Sequence, residues 1–319
     1  MRLYAPSDSL LTPRFSGITT FSRLPHVTDV AGADVAVIGL PFDTGVSFRI
    51  GARFGPAAIR AMSLLLRPHN PHFHIDLYKY CSAIDYGDLP TVPGAIEESN
   101  RRATAALLPV VQAGVVPIVL GGDHSISLPE LRAISRVHGP VALVHYDAHT
   151  DTYDEYFGQR YTHGTPFRRA IEEGLIDAAH SIQLGMRGPV YGERDWQDSR
   201  DLGLEVIPWE EVIAQGRAAV AERVKARVGR AKAFFSFDVD FVDPAYAPGT
   251  GTIEVGGPSS AEALDLVRRV EGLRFVAFDV VEVLPLLDHS QTTAALAANI
   301  AYEFMTFVAL QKRAAAVAG

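Results

Sequence analysis

The chain has 319 residues, of which 48% are hydrophobic and 21% are charged, and its formal net charge at pH 7 is −8. There is no Lys/Arg run to follow a phosphate backbone and no apolar stretch predicted to cross a bilayer, so neither a nucleic-acid nor a membrane partner is expected. Cys81 is the single cysteine, which excludes an intrachain disulfide, and the charged N-terminus lacks an apolar signal core, so we expect a cytoplasmic location.

Apolar runs alternate with segments of helical periodicity along the whole chain. The predicted strands are residues 34–40, 81–86, 115–120, 141–146, 181–185, 203–207, 233–237 and 274–281. The segments with helical spacing are 56–67, 97–113, 129–137, 166–173, 218–228, 260–270 and 292–310. Several strands are almost continuously apolar, as expected when both faces of a sheet are covered. The pattern predicts an α/β fold, a three-layer α/β/α sandwich around a central, mostly parallel sheet of about eight strands.

The domain organisation follows from what the sequence lacks. Two average domains would fit this length, but no linker, low-complexity segment or short repeat divides the chain. We therefore expect a single domain over residues 1–319. Residues 1–33 precede the first strand and are expected to form an N-terminal extension that packs on this domain or on a neighbouring subunit.

Polar residues stand where four predicted strands end: His124, Asp147, Asp238 and Glu282. In an open parallel sheet the carboxyl ends of the strands lie along one edge, and ligands bind there at a switch in strand order. We therefore expect these residues, which are far apart in sequence, to converge.

The potential ligands alternate with small or apolar residues in Asp147-Ala-His149-Thr-Asp151 and in Asp238-Val-Asp240. On extended backbone this spacing sends the side chains of each motif to one side. With His124 from Gly-Gly-Asp-His124-Ser, the set comprises two imidazoles and four carboxylates, too many for one tetrahedral zinc. Such a set suits two hard, six-coordinate divalent ions that share carboxylate bridges. It points to metal-assisted hydrolysis.

Each motif also has a plain structural interpretation. Gly-Gly-Asp-His could be a tight turn, and the Asp238 pair could form an Asx turn. A structural ion-pair network, however, would need Arg or Lys within the motifs, and none occurs there. His163 is a loop histidine with a plausible position at the rim of the metal site. Glu282 is a charge that interrupts a buried strand, and a bound cationic substrate would compensate it.

The ordered motifs GGDHS, DAHTD, THGTPF, SFDVDFVDPAYAPGTGT and DVVEV resemble those of the ureohydrolases, the family of arginase and agmatinase. The segments 15–25 and 51–60 are similar to the agmatinase branch. The resemblance implies an arginase-like fold, a pair of manganese ions and homohexamers or trimers. It assigns the metal ligands His124, Asp147, His149, Asp151, Asp238 and Asp240. It also implies that His163 is the catalytic histidine and that Glu282 grips the guanidinium group. Our mechanistic hypothesis adds that His163, with a near-neutral pKa, passes a proton to the departing amine and that Asp151 accepts a hydrogen bond from the attacking hydroxide and directs its lone pair.

The resemblance implies hydrolysis of a small cationic guanidino compound to urea and an amine, foremost agmatine to putrescine. Alternatives are 4-guanidinobutyrate, 3-guanidinopropionate, guanidine or a substituted biguanide. Other classes are a non-catalytic guanidino-binding subunit and a binuclear phosphoesterase, which would need phosphate-clamping residues that the motifs lack. Nickel or cobalt could replace manganese.

The segments that would border the substrate tail depart from the usual agmatinase pattern. The sequence reads Gly-Thr-Ile-Glu254-Val-Gly-Gly without the usual prolines, and residues 283–291 are unusually apolar. An anionic tail would need a basic residue, and a cationic tail would need an acid. The candidates for these two roles are Arg49, Arg53 and Arg187 on one side and Glu254 and Asp154 on the other.

Overall fold

A computed structural model of the protein describes residues 3–318. Its main sheet has eight strands, in the order β4-β1-β5-β10-β9-β6-β7-β8, and every neighbouring pair is parallel. These strands are β1 Val35–Leu40, β4 Ala83–Asp88, β5 Val116–Gly121, β6 Ala142–Tyr146, β7 Ile182–Met186, β8 Glu205–Pro208, β9 Lys232–Asp238 and β10 Arg274–Val281. The predicted fold class is confirmed, and each predicted strand overlaps an observed one.

The α-helices are α1 Gly55–Ser63, α2 Leu77–Tyr80, α3 Ile96–Gln112, α4 Ser127–His138, α5 Pro166–Glu172, α6 Asp195–Asp201, α7 Trp209–Gln215, α8 Arg217–Val228, α9 Ser260–Arg269 and α10 Thr292–Ala318. The sequence did not predict α2, α6 or α7, which have at most seven residues each, too few for a clear helical period. Local chemistry sets several helix starts. Ser259 and Glu262 form a reciprocal capping box at α9, and Pro166 occupies the first turn of α5.

A short antiparallel hairpin, β2 His69–Asn70 and β3 Ile75–Asp76, lies outside the main sheet. Each of these strands has two residues.

Two apolar cores lie on opposite faces of the sheet. Along β1, Val35 and Val37 join one core, and Ala36 and Ile38 join the other, because successive side chains of a strand point to opposite faces. The first core packs against α1, α8, α9 and α10, and the second packs against α3, α4 and α5. The near-continuous apolar composition of the strands therefore reflects burial on both faces.

Helix α10 corrects one expectation from the sequence. Residues Thr292–Val317 are long and apolar enough to span a membrane by length and composition, although no such stretch was predicted. Within the most apolar window of this helix, 89% of the residues are buried inside the protein. Burial of this kind is also found for the core helix of a soluble protein, and Phe304 and Phe307 pack here against Phe278 and Phe275 of β10.

The segment before β1 is partly packed on the sheet. Phe21 and Leu24 are buried in the first core, and the backbone N–H of Phe21 donates to Asp85 Oδ2 at 2.7 Å. Four large apolar side chains of the same segment are instead at least 80% exposed: Leu10, Leu11, Phe15 and Ile18. Residues 1 and 2 of the predicted extension lie outside the described residues, and the extension's boundary at 33 stays a prediction.

Candidate metal centre and active site

The candidate site lies at the carboxyl ends of four strands that are neighbours in the sheet, β5, β10, β9 and β6. Asp147 and Glu282 directly follow β6 and β10, Asp238 is the last residue of β9, and His124 comes three residues after β5. The four side chains that the sequence placed at strand ends are therefore delivered to one edge. All four are buried, with at most 2% exposure.

A first cluster surrounds the imidazole of His124. Its Nδ1 lies 2.9 Å from Asp151 Oδ2, 3.0 Å from Asp147 Oδ2 and 3.2 Å from Asp238 Oδ2. The other ring nitrogen, Nε2, lies 2.8 Å from Ser236 Oγ. The cluster therefore presents one nitrogen and three carboxylate oxygens to a common point.

A second cluster surrounds His149. Its Nδ1 lies 3.1 Å from Asp240 Oδ2 and 3.4 Å from Asp147 Oδ1. Asp147 thus offers Oδ2 to the first cluster and Oδ1 to the second. This is the arrangement expected of a carboxylate that bridges two cations.

The donor set fits divalent cations. The buried Nδ1 of His124 has no hydrogen-bond partner among residues 3–318, although three carboxylate oxygens face it. Burial and then the charge of Asp147 raise the pKa of Asp240 to about 6, and burial and then the charge of Asp240 raise that of Asp238. Hard cations would offset this repulsion and satisfy the unpartnered nitrogen.

Two site residues have left-handed backbone, Asp151 with φ 51° and Glu282 with φ 64°. Such conformations are uncommon for residues other than glycine and concentrate at functional sites. Asp151 is the last residue of the Asp147–Asp151 motif, and Glu282 directly follows β10. Glu282 is fixed further by its backbone N–H, which donates to Gly122 O at 2.9 Å.

His163 and Glu282 form a pair beside the first cluster. His163 Nδ1 lies 3.2 Å from Glu282 Oε1, which also accepts the backbone N–H of His124 at 3.0 Å. Burial alone would lower the pKa of His163, but the hydrogen bond and charge of Glu282, together with the charges of Asp151 and Asp123, outweigh it and raise the pKa to about 9. This value lies above the near-neutral pKa expected from the sequence. The backbone N–H of Ser47 donates to Nε2 at 3.1 Å and opposes protonation of that nitrogen.

An open pocket lies over the clusters, with His149, Asp151, Asp238 and Asp240 in its lining. His163 lines one side, whereas Glu282 lies behind it and outside the lining. Aromatic side chains form much of the outer wall: Phe48, Tyr153, Tyr156, Phe157 and Tyr191.

Of the charged residues that the sequence offered for binding the substrate tail, three are already engaged by other protein groups. Arg187 donates to four backbone carbonyls, including Asp240 O at 2.7 Å and Glu254 O at 2.8 Å, so it holds the pocket loop in place. Arg53 pairs with Asp43, and Asp154 pairs with Arg169. Arg49 is exposed above the ring of Phe48.

Glu254 remains as the acid of the outer pocket. It belongs to the lining, and its Oε1 lies 3.9 Å from His149 Nε2. Among the described residues that line the pocket there is no lysine or arginine.

His145 and Asp123 are site residues that the sequence analysis missed. His145 Nε2 lies 2.8 Å from Asp147 Oδ2, and its Nδ1 accepts a hydrogen bond from Gln183, so both nitrogens are engaged. Its position two residues before Asp147, on the same face of the strand, was an available signal. Asp123 accepts the backbone N–H of Gly45 at 2.8 Å and so holds the loop that carries Ser47.

Comparison with known proteins agrees with this geometry. The model of the arginase family matches residues 33–306. Guanidinopropionase from Pseudomonas aeruginosa is 45% identical, over 95% of this chain and 96% of that protein, and mitochondrial agmatinase from Gallus gallus is 41% identical over 95% and 89%. The solved structure of proclavaminate amidinohydrolase from Streptomyces clavuligerus is 41% identical, with a TM-score of 0.89 over 93% of this chain and 99% of that one.

The chain belongs to the arginase family.

Membership confirms the resemblance inferred from the ordered motifs and the assignment to the agmatinase-like branch. The protein is a ureohydrolase, and its family is one of binuclear metal enzymes. Among the described residues, two groups that share Asp147 could hold a metal ion: His124, His145 and Asp147, and Asp147, His149 and Asp240. The roles of the individual residues stay predictions.

Proposed function

We propose that this protein hydrolyses a guanidino compound to urea and an amine, with agmatine as the preferred substrate and putrescine, a polyamine precursor, as the product. The observation that carries the proposal is the pair of clusters joined by Asp147 at the base of a pocket. A guanidinium carbon is a poor electrophile because its charge is delocalised, so it needs hydroxide, which free water hardly supplies at neutral pH.

The six predicted ligands would hold two divalent cations, the first at His124 and the second at His149. When bound, such cations would lower the pKa of a water molecule and so provide hydroxide near neutral pH. We propose manganese, because carboxylate oxygens dominate the donor set; nickel and cobalt are alternatives, because two imidazoles take part.

Side chains would carry out the remaining steps, which are orientation of the water, orientation of the substrate and transfer of a proton. Asp151 would accept a hydrogen bond from the attacking water and direct its lone pair. Glu282 holds His163 through Nδ1. It lies outside the pocket lining, so the charge-assisted hydrogen bonds by which it would orient the guanidinium rest on the family resemblance. His163 would pass a proton to the departing amine.

The charge of the outer pocket favours a cationic tail. Glu254 is the charged wall residue beyond the predicted ligands and His163, and no basic side chain of the described lining opposes it. The aromatic faces of Tyr153 and Tyr156 would also attract a cation. Agmatine carries such a tail.

A guanidino acid is the second candidate. The name of the relative with 45% identity, guanidinopropionase, favours it. The hydroxyls of the pocket tyrosines could donate hydrogen bonds to a carboxylate, but Tyr153 Oη already donates to Asp195 at 2.9 Å.

Urea release from agmatine, 3-guanidinopropionate and 4-guanidinobutyrate decides between the two. We expect the highest kcat/KM for agmatine, and we expect Glu254→Gln to lower it by about tenfold, the loss of one partly exposed charge interaction, while leaving the acids unaffected or improved. Asp154→Asn, which changes an acid engaged by Arg169, is the matched control. A preference for the acids that Glu254→Gln does not change would contradict the assignment of agmatine.

The oligomeric state and the location of the protein also belong to this proposal. We propose a homo-oligomer, a hexamer or trimer, supported by the four exposed apolar side chains of the N-terminal segment, because such patches commonly mark interfaces. We also propose a cytoplasmic location, supported by the single, buried cysteine.

A further inference from the structure

A row of buried polar side chains crosses the sheet beneath the candidate metal centre. Gln183, His145, Ser236 and Asp279 stand on β7, β6, β9 and β10, and each is a register partner of the next: Gln183 with His145, His145 with Ser236, and Ser236 with Asp279. All four are 0% exposed. We call these four residues the polar row. Apolar side chains would fill the same space without desolvating polar groups, so the row calls for an explanation.

At one end, Gln183 determines where His145 carries its proton. Its Nε2 donates to Thr150 O at 2.6 Å and to His145 Nδ1 at 2.9 Å. The carbonyl of Thr150 fixes the orientation of the amide, because the amide oxygen would be repelled there. His145 Nδ1 must therefore be an acceptor, so the proton lies on Nε2 and is donated to Asp147 Oδ2 at 2.8 Å.

At the other end, Ser236 contacts His124 and is the register partner of Asp279. His124 Nε2 lies 2.8 Å from Ser236 Oγ, whereas Nδ1 faces the three carboxylate oxygens, so Nε2 would donate to Ser236 when Nδ1 carries no proton. Burial raises the pKa of Asp279, and the charge of His124 and the hydroxyl of Ser127 oppose that rise. Ser127 Oγ donates to Asp279 Oδ2 at 2.6 Å.

The two ends of the polar row affect the protonation of two predicted ligand atoms, His124 Nδ1 and Asp147 Oδ2. A cation binds imidazole nitrogen and carboxylate oxygen only where these carry no proton. Nδ1 of His124 is such an atom when its proton lies on Nε2. Asp147, which faces both clusters, is held as a hydrogen-bond acceptor by His145.

We propose that the polar row sets the tautomers of His124 and His145 and so presents proton-free ligand atoms to the two cations, with Gln183 and Asp279 as positioning residues at its ends. The proposal rests on the metal binding proposed above. It goes beyond that function by assigning a task to residues outside the six predicted ligands.

Two measurements on the full-length protein test the proposal. The first is ¹⁵N NMR of histidine-labelled, metal-free protein, which needs no variant. We expect His145 to be protonated at Nε2 and unprotonated at Nδ1. Protonation at Nδ1 would overturn the proposal without bearing on whether the enzyme hydrolyses guanidino compounds.

The second measurement is the Kd for Mn²⁺ by titration calorimetry. Gln183→Met removes both amide donors, and Asp279→Asn replaces an acceptor oxygen by a donor. We expect each to weaken Mn²⁺ binding by about 10- to 100-fold, the usual effect of changing residues behind metal ligands. Gln183→Met should also alter the tautomer of His145.

Ser181→Ala is the matched control, because Ser181 is a fully buried serine beside β7 whose hydroxyl bonds to Asp177 O and Leu143 N, away from both clusters. It should lower the melting temperature and leave the Kd unchanged. Binding by both row variants within about threefold of the parent would overturn the proposal, since residues in such positions change affinity more than that.

Discussion

At the scale of single residues, the carboxylates of the centre divide their contacts unequally. Asp151 contacts His124, Asp240 contacts His149, and Asp147 contacts both imidazoles through different oxygens. The sequence predicted shared carboxylates, and the structure brings Asp147 to both clusters. Mutation can therefore test the two proposed cation sites separately.

We expect Asp151→Asn and Asp240→Asn each to halve the Mn²⁺ content, since each removes a charged ligand from one cluster, and Asp147→Asn to empty both sites. Metal per protein after dialysis against a fixed Mn²⁺ concentration measures the effect. Asp243→Asn is the control, because Asp243 lies in the following loop and accepts the N–H groups of Ala245 and Gly256. If Asp240→Asn kept two ions and full turnover, the assignment of the ligands would fail.

His163 is expected to affect turnover without affecting metal content. Its ring nitrogens contact Glu282 and Ser47, not the carboxylates of the two clusters. His163→Ala should lower kcat by about 10²- to 10⁴-fold, the usual contribution of a general acid or base. His180→Ala, which changes an exposed histidine paired with Asp177, should leave kcat as it is. Loss of metal from His163→Ala would make His163 a ligand.

At the scale of elements, helix α4 carries an unusual buried charge. Glu130 is fully buried, and neither of its carboxylate oxygens has a hydrogen-bond partner in the described part of the chain. Burial and then the charge of Asp279 raise its pKa well above the ordinary value of 4.5. Above pH 4.5 the unfolded chain therefore releases a proton from Glu130 that the folded protein retains.

The raised pKa predicts a pH-dependent cost. As pH rises above the unfolded pKa of 4.5, Glu130 lowers the free energy of unfolding by up to about 1.4 kcal/mol per pH unit until its folded pKa is reached. Glu130→Gln removes this dependence, so its stability relative to the parent should increase from pH 5 to pH 8. Urea denaturation at several pH values measures it. The exposed Glu222→Gln serves as the control, and a difference that does not change with pH would contradict the prediction.

At the scale of the whole molecule, the order of the strands creates the site. Strand β10 is the last in sequence but lies between β5 and β9, so Glu282 comes to lie beside His124 and His163. The N-terminal segment, in contrast, leaves Leu10, Leu11 and Phe15 exposed on the isolated chain. Burial of such side chains contributes about 1.5–3 kcal/mol each, which favours contact with another copy.

Replacing Leu10, Leu11 and Phe15 together by serine should therefore weaken assembly. We expect the parent to sediment as a hexamer or trimer and the triple variant to dissociate at micromolar concentration, with the circular dichroism of the fold retained. Ile213→Ser removes an apolar side chain that is 68% exposed on α7 and is the control. A monomeric parent, or a variant that assembles as the parent does, would contradict the prediction.

The sequence by itself determined the elements and the chemistry of this protein. Apolar runs and helical periods located the eight strands and the longer helices because these patterns record which side of each element is buried. Period-two spacing predicted that Asp147, His149 and Asp151 share one side of extended backbone, but these residues follow β6 in an irregular segment where Asp151 has φ 51°. The ligand types were therefore readable from the sequence, whereas the backbone that brings them together was not. Short helices such as α6 escaped prediction because one or two turns give no clear period.

Only the tertiary structure decided which residues meet. Strand order depends on how the crossover helices pack over the sheet, and no local pattern encodes it. The partners of the metal-facing atoms, His145 for Asp147 and Ser236 for His124, follow from register between neighbouring strands. The same holds for Glu282, whose contacts with His163 and His124 join residues more than a hundred positions apart. The donor set was thus present in the sequence, and its division into two clusters arose from packing across the sheet.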